Sequence, residues 1–183
     1  MNYLLKISKW KKKTSVKDLG VIIASDLKWT KHIDYISHSA RFKSYQILKS
    51  IKTNIIWTAI NLFTTYVRPQ LEYNSQVWSP YLKEDIDKIE DIQRNYTKKA
   101  FERCNLPIQD YNGRLRMLNM LSLKNRRIYL DLIFLYNLVN KAYDLNFDSF
   151  FSFKTTKYSL RSHSSQISIK LESTLDQWKY SFL

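Results

Sequence analysis

The chain has 183 residues, 44% hydrophobic and 15% aromatic, which suits one ordinary domain with a sizeable core and is unlike a disordered tail. Thirty Lys and Arg oppose sixteen Asp and Glu, and a formal charge of +14 favours a polyanionic partner. A single cysteine, Cys104, excludes an internal disulfide, the scattered His32, His38 and His163 offer no zinc-site spacing, and two glycines with three prolines disfavour sandwiches, barrels and Gly-rich phosphate loops.

Leu4-Leu5 is broken at once by Lys6 and Lys9, so no signal-peptide core forms, and no run approaches the ~18 apolar residues of a membrane span. A soluble intracellular protein is expected, with no membrane partner, cofactor or metal. The run Lys9, Lys11, Lys12, Lys13 would make it nuclear if it acts as an import signal.

In chain order, residues 1–30 form a basic N-terminal segment. Leu19, Val21, Ile22, Ile23 and Leu27 read as a short buried strand closed by a Ser-Asp turn. Its partner is either the segment "SQISIKLES" near the C-terminus or a strand of another polypeptide. From Lys31 to Ser50, Ile33, Ile36, Ala40, Ile47 and Leu48, continued by Ile51, form the stripe of an amphipathic helix, with Lys31, Arg41, Lys43 and Lys49 on or beside its wet side.

Asn54 is placed to cap a second helix using Ile55, Ala59, Leu62, Phe63, Tyr66 and Val67, which should stop before Pro69. A third, from about Leu82 to Arg103, uses Leu82, Ile86, Ile89, Ile92, Tyr96 and Ala100. Its charge runs from acidic (Glu84, Asp85, Asp87) to basic (Arg94, Lys98, Lys99, Arg103), an order that suits the helix dipole. Leu115, Leu118 and Leu121 give a short helix, and Ser122 can cap a long one through Leu123, Leu130, Ile133, Phe134, Leu138 and Ala142. After Tyr143 the pattern fades, so 31–143 is read as a helical domain and 144–183 as a polar, partly ordered or truncated tail. The fold class is mostly α: a helical bundle with a short N-terminal strand segment and a weakly structured C-terminal tail.

Residues 1–30 carry seven basic and two acidic residues, 31–143 eighteen and ten, and 144–183 five and four, so the excess lies on the head and the helical body. Arg41, Lys43, Lys52, Arg68, Lys98, Lys99, Arg103, Arg126 and Arg127 are the candidate phosphate contacts. Two-metal chemistry needs converging carboxylates, and no adjacent Asp pair exists. Glu84, Asp85, Asp87, Glu90 and Asp91 read as solvated partners of a helix dipole. Cys104 has no His partner motif and reads as packing. Tyr66, Tyr73, Trp78 and Tyr81, in the block between the second and third helices, read as a packed structural corner.

In series, the stretches "DLGVIIASDLKWTKHIDYI", "LFTTYVRPQLEYNSQVWSPYLKEDIDKIEDIQRNYTKKAF" and "LSLKNRRIYLDLIFLYNLVN" closely resemble the region after the polymerase core in reverse transcriptases of jockey-like non-LTR retrotransposons. The resemblance runs roughly from Ser15 to Phe151 and rests on the TYVRP, LEY, VWSPY and IE-x-IQR elements in order. It implies a thumb-like, template-primer-gripping helical region of an RNA-directed DNA polymerase, with an RNA–DNA hybrid or duplex held without regard to sequence. The family's palm motif with its paired aspartates, its fingers, its endonuclease and its zinc knuckle have no counterpart here. The expectation is therefore a non-catalytic nucleic-acid-binding segment, inactive alone, from a truncated element copy. The alternatives are a helical protein-interaction module, or a thumb completed in trans by a separate polymerase core.

Overall fold

The computed structural model describes residues 14–52, 54–143, 151–153 and 167–169. The chain is mostly helical, with a short two-stranded antiparallel sheet at its N-terminal end. The import-signal candidates Lys9 to Lys13 and most of the 144–183 tail lie outside the described residues.

Strand β1, Ser15–Asp18, pairs with β2, Val21–Ala24, with Ser15 opposite Ala24 and Asp18 opposite Val21. Leu19 and Gly20 join them with φ of 42° and 89°. Two consecutive positive φ values match the right-handed twist of a hairpin, and glycine carries the second without strain. The expected buried strand over Leu19 to Leu27 is corrected on two counts. Leu19 is 80% exposed at the turn and Leu27 47% exposed beyond β2, and the partner is the polar stretch immediately upstream. Ile167–Ile169 (β4) pairs instead with Phe151–Phe153 (β3). Val21 joins the main core.

Helix α1, Thr30–Ser50, buries Ile33, Ile36, Ala40 and Leu48, the face its periodicity assigns. Asn54 does not cap the next helix: α2, Ile56–Leu62, has Ile55 at its N-cap position. Nor does the chain stop before Pro69. A π-helical turn, Phe63–Val67, continues directly into α3, Arg68–Glu72. Arg68 stays helical, at φ −55° and ψ −41°, and donates its N–H five residues back to the carbonyl of Phe63. This register change puts Pro69 at the second position of α3, where helices leave N–H groups unpaired, so its missing donor costs nothing.

Short helix α4, Ser75–Trp78, leads to α5, Lys83–Arg103, which packs along α1. Helix α6, Tyr111–Met117, follows, and then α7, Leu123–Val139. Ala142 falls beyond the end of α7. Ile33, Ala40, Phe63, Val67, Leu71, Trp78, Ile89 and Phe101 form a fully buried centre to which both α1 and α5 contribute. No helix among the described residues is long and apolar enough to cross a membrane.

Candidate nucleic-acid interface

On α1, Arg41, Tyr45 and Lys49 recur at every fourth residue. On α5, Asn95, Lys99 and Arg103 do the same. Side chains four apart share one helix face. The packing of α1 on α5 places the two rows on opposite rims of a cleft of ≈ 710 Å³, and all six residues are exposed. The cleft floor is Ser44 and Leu48 from one helix and Ile92 and Tyr96 from the other, all buried. Leu48, Ile92 and Tyr96 belong to the hydrophobic core, so the floor is rigid. The Tyr96 hydroxyl donates to the Ala59 carbonyl at 2.7 Å, and burial pushes its pKa up. Ser44 Oγ is buried with no hydrogen-bond partner.

Four cations therefore converge on one concavity, and its lining contains no acidic residue. Lys49 Nζ lies 5.8 Å from the centroid of the Tyr45 ring, and Arg103 donates to the Ile51 carbonyl. Neither contact neutralises its charge. Three of the candidate phosphate contacts, Arg41, Lys99 and Arg103, meet here. Lys49, Tyr45 and Asn95 were not among the candidates, although the two rows of period four are visible in the sequence. Nothing in the sequence says which helix faces which.

The remaining candidates are dispersed. Lys98 points away from the cleft and pairs with Glu102 at 3.9 Å, while Lys43 and Lys52 lie on or just after α1 outside the lining. Arg126 forks onto Glu72 through Nε and, at 3.0 Å, Nη2, and Arg68 Nε sits 3.7 Å from the same carboxylate. Arg126 thus ties α7 to α3, while Arg68 pairs with Glu72 within α3. Arg127 is 3% exposed, with Nη1 buried and unpartnered, so it is not presented to a ligand.

Of the acidic residues of α5, Glu84 and Asp87 are exposed, as expected for solvated partners of the helix dipole, whereas Asp85 and Glu90 are structural. Asp85 is buried and accepts from Thr30 Oγ1 at 2.9 Å, joining the starts of α5 and α1. Buried Glu90 accepts from the N–H groups of Leu123 and Lys124 at 3.1 and 3.0 Å, and Tyr111 donates to it as well. Burial, and then the Glu90 carboxylate, push the Tyr111 hydroxyl's pKa up. Gln93 Nε2 donates to the Tyr111 hydroxyl and the Leu121 carbonyl, both at 3.0 Å. Among the described residues no cluster of three His, Cys, Asp or Glu is placed to hold a metal ion.

The aromatic corner divides. Trp78 is fully buried, donates from Nε1 to the Tyr73 carbonyl at 2.8 Å and meets His32 edge-on at 5.1 Å. Tyr73 is an exposed strut whose hydroxyl donates to the Leu19 carbonyl at 3.2 Å, bracing the hairpin turn. Tyr66 is exposed and Tyr81 half-buried, so Trp78 alone of the four is a core residue.

Fold and cleft together define a mostly helical protein with a cationic furrow between its two longest helices. No family model matches the chain, and no solved structure matches it. It is 31% identical over 138 residues to an uncharacterized protein of Caenorhabditis elegans, covering 75% of this chain and 68% of that one. The chain belongs to the same family as this nematode protein.

Proposed function

We propose that the protein is a non-catalytic nucleic-acid-binding segment, similar to the thumb and post-palm region of a non-LTR retrotransposon reverse transcriptase, and that it contacts the nucleic-acid backbone through the α1–α5 furrow. The observation that carries this reading is the convergence of Arg41, Lys49, Lys99 and Arg103 on one acid-free concavity. Cations in such a row meet phosphates as point charges or forks, and backbone contacts carry no sequence information. Affinity should then be alike for unrelated sequences and fall steeply with salt as counterions are released. Changing Arg41 and Lys99 together to Ala should make the salt dependence shallower by about two units at most, one per lost phosphate contact. Because both side chains are exposed, folding should hardly respond.

A second reading, a helical protein-interaction module, draws support from α7, where Leu132 is 58% and Tyr136 69% exposed beside exposed Tyr129 and Ile133. A folded parent with no salt-dependent binding to nucleic acid would favour it.

A further inference from the structure

We infer that the α1–α5 furrow takes a single unpaired nucleotide of a single-stranded nucleic acid, its base on the apolar floor and against Tyr45, rather than the outside of a duplex. This rests on the nucleic-acid-binding reading above and narrows it to a substrate class.

The first argument is scale. At ≈ 710 Å³ the furrow falls in the range of about 300 to 1,000 Å³ typical of small-molecule sites. A duplex presents phosphates on a broad convex surface and keeps its bases in the stack, so it has nothing to insert.

The second is the chemistry of the floor. A pure phosphate grip needs no apolar surface, yet Leu48, Ile92 and Tyr96 line the furrow along with the cations. A planar base is the part of a nucleotide that gains from such a surface. Tyr45 stands exposed on the rim with its ring available for stacking, the usual sequence-tolerant mode of single-strand capture.

Third, the furrow carries polar groups that a phosphate grip would leave unused. Ser44 Oγ, buried in the floor without a partner, can donate to or accept from a ligand atom. Asn95 on the opposite rim offers a donor and an acceptor to a base edge. The cations on both rims suit phosphates entering on one side and leaving on the other.

The test compares the full chain's affinity for a mixed-sequence single-stranded oligonucleotide, the same strand made abasic with its phosphates intact, and a blunt duplex of equal length. The intact single strand should bind about tenfold or more tighter than either of the others, the scale of one base–aromatic stack. Tyr45→Leu should lose about the same factor on the intact strand while leaving the salt slope unchanged, and Tyr45→Phe should retain it. Equal or tighter binding of the duplex, or indifference to the abasic strand, overturns this inference and leaves the nucleic-acid reading standing. Absence of salt-dependent binding to all three overturns both. Poly-glutamate competing as well as the single strand at equal charge would assign the furrow to an acidic peptide and overturn both as well. The abasic comparison uses the parent protein, so its outcome does not depend on how any variant folds.

Discussion

His32 shows how one residue can serve two elements. Its Nδ1 accepts the N–H of Ile22 at 3.2 Å, fastening β2 to α1, and its ring meets Trp78. Burial, helped by the charge of Lys17, lowers its pKa from 6.5 to about 4. The unfolded chain therefore binds a proton between these values that the folded chain refuses, so this group makes stability fall as pH drops from 6.5 towards 4. Asp131 opposes it: burial raises its pKa from 3.8 to about 6, the folded chain keeps the extra proton, and its contribution falls as pH rises through that window. The two slopes partly cancel in the parent. His32→Asn, which keeps an acceptor for Ile22, should leave a denaturation profile that declines from pH 4 to 6, and Asp131→Asn one that rises more steeply than the parent's. Unchanged profiles in both variants would show that neither group titrates as its surroundings dictate. Trp78→Ala should cost roughly 3 to 5 kcal/mol, the range for deleting a large buried aromatic, measured by chemical denaturation. None of the spacing around His32 signals this role, whereas the burial of Trp78 follows from its place between two patterned helices.

Among the elements, α7 is the one whose start is most fully specified. Its first three N–H groups, on Leu123, Lys124 and Asn125, find Glu90 Oε1, Glu90 Oε2 and Ser122 Oγ. The serine is legible in the sequence because an N-cap is local. Glu90 is not, because its partners lie 33 and 34 residues away. Ser122→Ala should cost about 1 kcal/mol. Glu90→Gln should cost more, roughly 1 to 3 kcal/mol, since it weakens bonds to one buried and one part-buried donor and removes a charge facing Arg127. Thermal melts of the two variants check the order. The extents of α1 and α5 are readable from their apolar stripes. The hairpin and the run through Pro69 are hidden for the same kind of reason: a Leu-Gly turn and a π-helical shift of register are backbone solutions that carry no residue pattern.

For the molecule as a whole, the basic excess is less informative than its arrangement. Arg126 and Arg68 are spent on Glu72 and Arg127 is buried, while Arg41, Lys49, Lys99 and Arg103 share one furrow. Composition shows the charge but not this division, because a helix face looks the same in sequence whether it meets a carboxylate, a core or water. Neighbouring lysines make the contrast measurable. Lys99→Ala should make the salt dependence of nucleic-acid binding shallower by about one unit, and Lys98→Ala, outside the lining and paired with Glu102, should leave the slope unaltered. Equal slopes for both variants and the parent would remove the furrow from the interface.

The Glu90 cap also bears on how the molecule opens. Amide hydrogens at a helix start usually exchange with solvent early, because nothing in the helix itself holds them. Those of Leu123 and Lys124 are held by a buried side chain of another helix. Their exchange requires α7 to part from α5, which makes these two amides a built-in reporter of that separation, read directly against the amides at the other end of α7, whose bonds stay within that segment.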